Sequence, residues 1–469
     1  MGLHHWLTER VLLPVFDTLQ RRGIRAAHHE ACAWQWLPAD DLRKRQWERL
    51  AGLLREAYED VPFYRRRWDE AGVRPGSIET EDDLLRIPVL TKLDLARHSR
   101  ETISRRFDER KLKRWSTGGS TGQTAVFYVD GRTAGSRKAR EMRFHEWMGV
   151  RPGDRVARLW GSPIEIAQYR RWWRRAAERV KNRLFLPGHM LTDEAMAGYA
   201  ESLMRFRPAL IIGFTPALFV FSRFLEKRGI TGIRPKAVLT TSATLFPAHR
   251  RLHERVFGCR VFDEYGSREG GGIAHECDRH PGALHVAAES VYLEVVKDGR
   301  HAAPGEVGEI LLTDLTNRVA PLIRYRIMDT ASWWPETCPC GRGLPLLRVA
   351  SGRVSDLLVT PGGGIVLGEF FIDVFDEISE HVLQFQVVQR EVSSLLVKVV
   401  PAASYGPAAE RFIRRALAEK FGDRTAVEIE TCSTIPPSPS GKYLFTRCEV
   451  PLDFENASGL LAPAPPEER

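Results

Sequence analysis

The sequence predicts an α/β fold, a large multi-layer α/β domain followed by a small α+β unit, and three observations carry that reading. Residues 1–110 are polar, with apolar positions at helical spacing. From about 114 to 350, strand-like runs alternate with amphipathic helical stretches, the pattern of layered α/β structure. Beyond Arg353–Asp356 a strand, strand, helix, strand order fills a unit of ordinary domain size. At 469 residues and 43% hydrophobic content the chain is long enough to bury a large core.

In the first stretch, Leu50, Leu53, Leu54 and Tyr58 recur on one helical face. The middle region offers strands at Ala125–Val129, Arg155–Trp160, Ala209–Ile212, Ala237–Thr240, Arg260–Phe262, Val291–Val296 and Glu309–Thr313. Helices are expected over Asp193–Phe206 and Ala217–Arg228. The C-terminal unit reads as strands over Leu383–Arg390, Ser394–Val400 and Ala426–Thr431 and a helix near Ala408–Lys420. The organisation is thus a domain over 1–352 (helical to 110, α/β from 114) and a unit over 353–469. Its Pro- and Ala-rich tail, from about 458, has the composition of a disordered segment.

Five segments carry chemistry. Thr117-Gly118-Gly119-Ser120-Thr121-Gly122, after the basic Lys111–Arg114, is a loop whose glycines let backbone amides approach anionic oxygens while hydroxyls add donors. It is neither GxxxxGK[ST] nor GxGxxG, which sets aside a P-loop and a Rossmann site. Asp263-Glu264-Tyr265-Gly266-Ser267-Arg268-Glu269 follows a strand-like run; Tyr265 can stack on a purine, and Glu269 offers a hard oxygen ligand for Mg²⁺. In Tyr325-Arg326-Ile327-Met328-Asp329 an acid placed after a strand can accept from both ribose hydroxyls. Arg353, among turn residues, can pair with phosphate, and Lys442 is displayed on the loop Pro437–Lys442.

In this order and spacing the five segments resemble the adenylate-forming superfamily of acyl-CoA synthetases, and within it the phenylacetate-CoA ligase family with its capsular-polysaccharide-biosynthesis branch. Ala57–Tyr64, Ile87–Lys92 and Arg207-Pro208 leading to Ile212–Pro216 resemble the same branch. The resemblance implies a mobile C-terminal lid that carries Lys442, and ATP-dependent activation of a small-molecule carboxylic acid to an acyl adenylate. Thr117–Gly122 and the Asp263–Ser267 segment are then nucleotide contacts, Glu269 holds Mg²⁺, and Asp329 fixes the ribose. Arg353 holds phosphate or ribose oxygens, and Lys442 bridges the carboxylate and the α-phosphate. The acyl group then passes to a thiol, coenzyme A or that of a carrier protein.

The chain departs from the family pattern in three places. Gln123-Thr124 stands where a Pro-Lys or Lys-Pro pair often follows the phosphate loop, Ala243 where relatives frequently carry Glu, and Ser355 where an acidic hinge residue is common. Other readings of the same residues are an adenylating enzyme with a non-CoA acceptor (a carrier protein, a sugar of a polysaccharide precursor, or AMP transfer itself) and a non-catalytic binding descendant. Phe214, Trp160 and Ala243 are candidates for an apolar acid pocket.

Seven scattered cysteines do not make a disulfide framework. Cys277-x-x-His280 and Cys338-x-Cys340 have the spacing of two zinc knuckles, which predicts a structural zinc on Cys277, His280, Cys338 and Cys340 with His285 as a spare ligand. The net charge of +9 and the run Arg170–Arg175 invite a nucleic-acid reading, but no nucleic-acid module accompanies them. A helix with inward tryptophans and solvated arginines is expected, with peripheral membrane contact as the other option. No apolar run approaches the roughly 20 residues that span a bilayer, and Met1–Trp6 carries neither a secretory nor a myristoylation signal, so the cytoplasm is the expected location.

Overall fold

The computed structural model describes residues 8–19, 22–117, 125–160, 172–188, 191–242, 245, 247–351, 357–362, 365–367, 369–378, 380–435 and 446–450. They group into two compact units, the first drawn from Met1–Gly119, Gln123–Asp154 and Phe262–Arg353, the second from Ser120–Gly122, Arg155–Val261 and Val354–Arg469.

Helices open the first unit, as their sequence dictates. Ala39–Asp60 starts with Asp40 and Asp41, whose charges complement the positive end of the helix dipole, and buries Leu42, Leu50, Leu53, Leu54 and Ala57. Pro62 occupies the first turn of Pro62–Glu70, where the missing amide costs nothing. That helix buries Tyr64, whose hydroxyl donates to the Pro321 carbonyl at 2.6 Å and accepts the Ile323 amide at 3.1 Å. A capping box of Thr91 and Asp94 starts Lys92–His98. These helices share one core with the strands that follow, through Leu50, Leu53, Trp68, Leu90, Ile273, Val295, Leu312 and Tyr325.

Those strands are antiparallel. In spatial order they are Arg300–His301, Val291–Lys297, Gly308–Asp314, Tyr325–Trp333, Leu346–Ser351, Leu284–Val286, Gly271–Glu276 and Arg260–Ser267. The α/β alternation expected as far as 350 therefore stops with the helix Pro247–Phe257, after which hairpins take over. A separate hairpin pairs Lys113–Thr117 with Ala125–Val129, from Lys113 opposite Val129 to Thr117 opposite Ala125.

In the second unit, Ala237–Thr241, Leu210–Phe214, Val156–Trp160 and Arg183–Pro187 form a parallel sheet in that order. Leu210–Phe214 and Ala237–Thr241 are buried throughout, which is why they read as unbroken runs without polar alternation. The crossover helices are Asp193–Phe206, capped by Thr192, and Thr215–Lys227. Of the Arg170–Arg175 run, the helix Trp172–Val180 contains the last four residues.

The C-terminal part matches its expected order closely: Val382–Glu391, Ser394–Pro401, the helix Pro407–Phe421 and Ala426–Thr431, with Thr446–Cys448 completing a four-stranded sheet. Its own core includes Phe371, Phe375, Phe385, Val397, Ile413 and Leu417, with the Phe375 and Phe385 rings stacked 3.9 Å apart. The whole is a mixed α/β fold with a smaller C-terminal α/β part. Among the described residues, no helix is long and apolar enough to cross a membrane.

Candidate functional site

The segment Asp263–Glu269 is strand and tight turn together. Strand Arg260–Ser267 continues through Tyr265 and Gly266, correcting the expectation of a strand that ends near Phe262. It then folds back into Gly271–Glu276 with an irregularity between Tyr265 and Gly266. Glycine is required at this turn: a Cβ on Gly266 would lie 2.7 Å from the Gly271 carbonyl oxygen. Gly271 has φ of +71°, and a Cβ on it would lie 2.9 Å from Nη2 of Arg140. The Ser267 hydroxyl closes the turn by accepting the Gly270 amide at 2.9 Å, so Ser267 serves the backbone here.

Two tyrosine–carboxylate bridges cross between this segment and the strand Tyr325–Trp333. Tyr265 donates to Oδ2 of Asp329 at 3.0 Å, and Tyr325 donates to Oε1 of Glu269 at 3.0 Å. Both carboxylates are buried, with 6% of Glu269 and 5% of Asp329 exposed. Asp329 stands inside its strand, not after it, and the residue before it, Met328, has φ of +73°. A β-region strand holding a methionine in the left-handed region carries strain of about 1 kcal/mol, and such strain concentrates at functional positions.

Arg137, on the helix Gly131–Trp147, ties these parts to the hairpin that ends in Thr117. It donates to the carbonyls of Arg268, at 3.1 Å, and Glu269, and to Oδ2 of Asp314 at 3.1 Å. Its guanidinium also lies 5.1 Å from the Trp115 ring centroid. Buried Arg140 donates to the Gly270 carbonyl at 2.6 Å. Asn317 reaches the Tyr128 carbonyl at 3.0 Å, a second tie between hairpin and sheet. Sequence reasoning missed Arg137, Arg140, Tyr325 and Asp314. The signal for the arginines is Arg137-x-x-Arg140-x-x-Arg143, a basic row that a solvated helix has no need to turn toward one side.

The structure thus brings Asp263, Glu264, Tyr265, Gly266, Ser267, Glu269, Asp329 and the Thr117 end of the hairpin into one unit. Gly118, Gly119, Ser120, Thr121, Gly122, Arg353 and Lys442 lie outside the described residues, as does Ala243. In the second unit Trp160 and Phe214 end adjacent parallel strands with ring centroids 4.2 Å apart. Ligand crevices of parallel sheets form at such carboxyl ends.

The cysteine cluster assembles with one substitution. Cys277, His285, Cys338 and Cys340 place their ligand atoms within 4.8 Å of one another. Sγ of Cys277 and Cys338 are 3.5 Å apart, and Sγ of Cys340 is 3.4 Å from Nε2 of His285. His285, rather than the expected His280, stands with the three cysteines. His285 sits in a strand directly opposite Leu346, which brings its ring to the Cys338–Cys340 turn, whereas the His280 ring packs edge-on to Trp334 at 4.9 Å. The amides of Arg279 and Arg342 point at the sulfurs of Cys277 and Cys340, at 3.4 and 3.5 Å. Burial holds His285 down at about 4, hence neutral, and pushes the Cys338 thiol up to about 12. A thiolate there needs a cation beside it. A tetrahedral zinc with Zn–S of about 2.3 Å and Zn–N of about 2.0 Å separates its ligand atoms by about 3.5–3.8 Å, so this donor set fits.

Comparison with known proteins agrees with this architecture. The CapK C-terminal domain family matches residues 358–449. The chain is 28% identical to the phenylacetate-coenzyme A ligase of Escherichia coli K12 over 90% of its own length and 96% of the relative. It is 29% identical to that of Thermus thermophilus, over 76% and 80%, and 25% identical to Protein CapK of Staphylococcus aureus, over 78% and 80%. A solved 2-hydroxyisobutyryl-CoA ligase, captured with 2-HIB-AMP and CoA in its thioesterification state, superposes with a TM-score of 0.60 at 21% identity, covering 90% of this chain and 92% of that one. The chain is thus similar to the phenylacetate-coenzyme A ligases and to CapK, its residues 358–449 match the CapK C-terminal domain, and it shares the fold of a solved CoA ligase.

Proposed function

We propose that the chain is an AMP-forming acid–thiol ligase, which activates a carboxylic acid with ATP as an acyl adenylate and passes the acyl group to coenzyme A. The observation that carries this is the crossed pair of bridges from Tyr265 to Asp329 and from Tyr325 to Glu269, two buried carboxylates preorganised in one unit. Near full-length similarity to phenylacetate-coenzyme A ligases supports it.

In this reading Glu269 supplies a hard oxygen to Mg²⁺, which when bound neutralises the polyphosphate. Asp329 accepts from the ribose hydroxyls, and Tyr265 keeps its carboxylate turned toward them. Arg137 and Arg140 fix the Arg268–Gly270 backbone, so the Glu269 side chain is aimed without reorganisation at the moment of reaction. The Thr117–Gly122 loop cradles phosphates, Arg353 holds phosphate or ribose oxygens, and Lys442 brings its charge to where the two anions meet. Trp160 and Phe214 favour an apolar or aromatic acid. The zinc tetrad of Cys277, His285, Cys338 and Cys340 staples the strands that lead away from Glu269 and Asp329.

A second reading, with a sugar or carrier protein as acyl acceptor, is favoured by the CapK C-terminal domain over residues 358–449. The deciding experiment is carboxylate-dependent exchange of pyrophosphate into ATP over a panel of aryl and aliphatic acids, followed by mass spectrometry of the products. Exchange with a coenzyme A thioester as product supports the first reading, and exchange with a sugar ester or amide, or with a carrier-protein thioester, supports the second. No exchange with any acid overturns both.

A further inference from the structure

Two helices of the first unit bring together three different ligating groups that play no part in the chemistry above. His28 and Cys32 stand four residues apart on Ile24–Trp34, hence on one face, and Glu146 lies at the end of Gly131–Trp147. Nε2 of His28 is 3.0 Å from Oε1 of Glu146 and 3.5 Å from Sγ of Cys32, and that sulfur is 3.7 Å from Oε2 of Glu146. All three ligand atoms lie within 4.8 Å of one another.

We propose that His28, Cys32 and Glu146 form a second divalent-metal site, tridentate and exchangeable, for an ion of the zinc class. One nitrogen of His28 faces both the sulfur and the carboxylate. An N–H in that position serves one acceptor well and the other poorly, whereas a metal ion at the same point is served by all three lone pairs. Tetrahedral coordination with Zn–S of about 2.3 Å, and Zn–N and Zn–O of about 2.0 Å, sets N···S at about 3.5 Å, N···O at about 3.3 Å and S···O at about 3.5 Å. The observed Nε2···Sγ and Nε2···Oε1 separations are within about 0.3 Å of these values, and the sulfur meets the other carboxylate oxygen, Oε2, so a small turn of the Glu146 carboxylate brings one oxygen to both partners. A borderline ion suits this mixture of thiolate, imidazole and carboxylate better than a hard cation does.

The site differs from the tetrad in two ways. It offers three protein ligands rather than four, and it lies at the surface, with 21% of the His28 side chain and 39% of that of Glu146 exposed. A fourth position is thereby left for water or another exchangeable ligand, the arrangement of open rather than closed zinc sites. Occupancy ties the two helices together, and the second of them carries Arg137 and Arg140, which hold the backbone around Glu269.

The test is alkylation footprinting of the whole protein by iodoacetamide, read for each cysteine by peptide mass spectrometry, with and without micromolar Zn²⁺. Because the thiolate is the nucleophile, binding should slow alkylation of Cys32 at least about tenfold. The same zinc should leave the Cys32 rate unchanged in the His28→Ala protein. The peptides of Cys277, Cys338 and Cys340 report in the same map whether the tetrad and its surroundings stay intact. Independently, Cys32→Ser should lower bound metal by one equivalent per chain and remove a single thiolate-to-cobalt band when Co²⁺ replaces zinc. If Zn²⁺ leaves the wild-type Cys32 rate unchanged, or if Cys32→Ser keeps every metal equivalent, the cluster is an ion pair with a neighbouring thiol and the proposal is wrong.

Discussion

Tyr325 donates its hydroxyl to Oε1 of Glu269 at 3.0 Å, across 56 residues of sequence. Each tyrosine of the crossed pair stands four positions before the carboxylate that the other one holds, so the two segments fix each other's acid. A local bridge would secure one carboxylate and leave the other to find its own rotamer. The crossed arrangement makes both acids depend on the same alignment of two segments, so in the proposed roles of Glu269 and Asp329 it would link metal binding to nucleotide binding.

Removing either hydroxyl separates these roles. A hydrogen bond to a charged group contributes about 1.5–3 kcal/mol, so Tyr325→Phe should lower the rate of pyrophosphate exchange about 10- to 100-fold, with a smaller effect on ATP affinity. Tyr265→Phe should act mainly on the KM for ATP, through Asp329. Kinetics of the two purified variants, with melting temperatures measured alongside, distinguish this from loss of fold. Two variants with wild-type kcat and KM would remove Glu269 and Asp329 from the mechanism.

The turn at Gly271 makes a second prediction. Its φ of +71° and the 2.9 Å approach of Arg140 to a would-be Cβ act together in Gly271→Ala. Backbone strain of about 1–2 kcal/mol is added to displacement of a buried guanidinium that holds the Gly270 carbonyl. Urea denaturation should show a loss of at least that size. Gly282→Ala, with φ of +88° and nothing within 4 Å of its Cβ, should show the backbone strain alone. Equal losses in the two variants would mean that Arg140 moves aside freely.

How much of this was legible in the sequence follows from what each segment is built to do. Asp193–Phe206 appears at its expected bounds because Met196, Ala200 and Leu203 share one buried face, and Ala125–Val129 because its apolar run, with Phe127, Tyr128 and Val129 all buried, is bounded by polar residues. Tyr325–Trp333 does not read as a strand because an acid, Asp329, takes a buried position of its alternation beside Tyr325 and Ile327, while the apolar Met328 takes a half-exposed one. The left-handed Met328 is a further departure from ordinary strand geometry at the same place. Candidate acids were recognisable as residues, but their partners were not, since a tyrosine hydroxyl that crosses 56 or 64 residues leaves no local pattern. His280 and His285 illustrate the same limit. Spacing favoured the nearer histidine, and strand pairing selected the farther one.

That choice of histidine is directly testable. Purified protein should contain close to one tightly held zinc from the tetrad, and His285→Ala or Cys338→Ser should lose it together with thermal stability. His280→Ala should keep the metal, because its ring packs on Trp334 rather than joining the sulfurs. Metal analysis after exhaustive dialysis against a weak chelator, which strips exchangeable ions, reads this out. Loss of zinc in His280→Ala with retention in His285→Ala would reverse the assignment.

Acid stability turns on the buried pair of Ser222 and His253 in the second unit. Nδ1 of His253 lies 2.8 Å from the Ser222 hydroxyl, and burial, with smaller contributions from His249 and Arg250, pushes the ring down to about 3. Its ordinary value is 6.5, so below that pH the unfolded chain takes a proton that the folded chain refuses. The stabilisation is complete above pH 6.5 and is lost as pH falls from there toward 3, at no more than about 1.4 kcal/mol per pH unit for one proton. His249, pushed down to about 4 by burial, adds a second loss of the same sign. Replacing His253 by Asn keeps a polar partner for Ser222 but removes the titration. In urea denaturation series from pH 7.5 to 5, His253→Asn should therefore be less stable than wild type at pH 7.5 and should lose stability less steeply on acidification. Parallel curves for the two proteins would show that the imidazole is already solvated in the folded state.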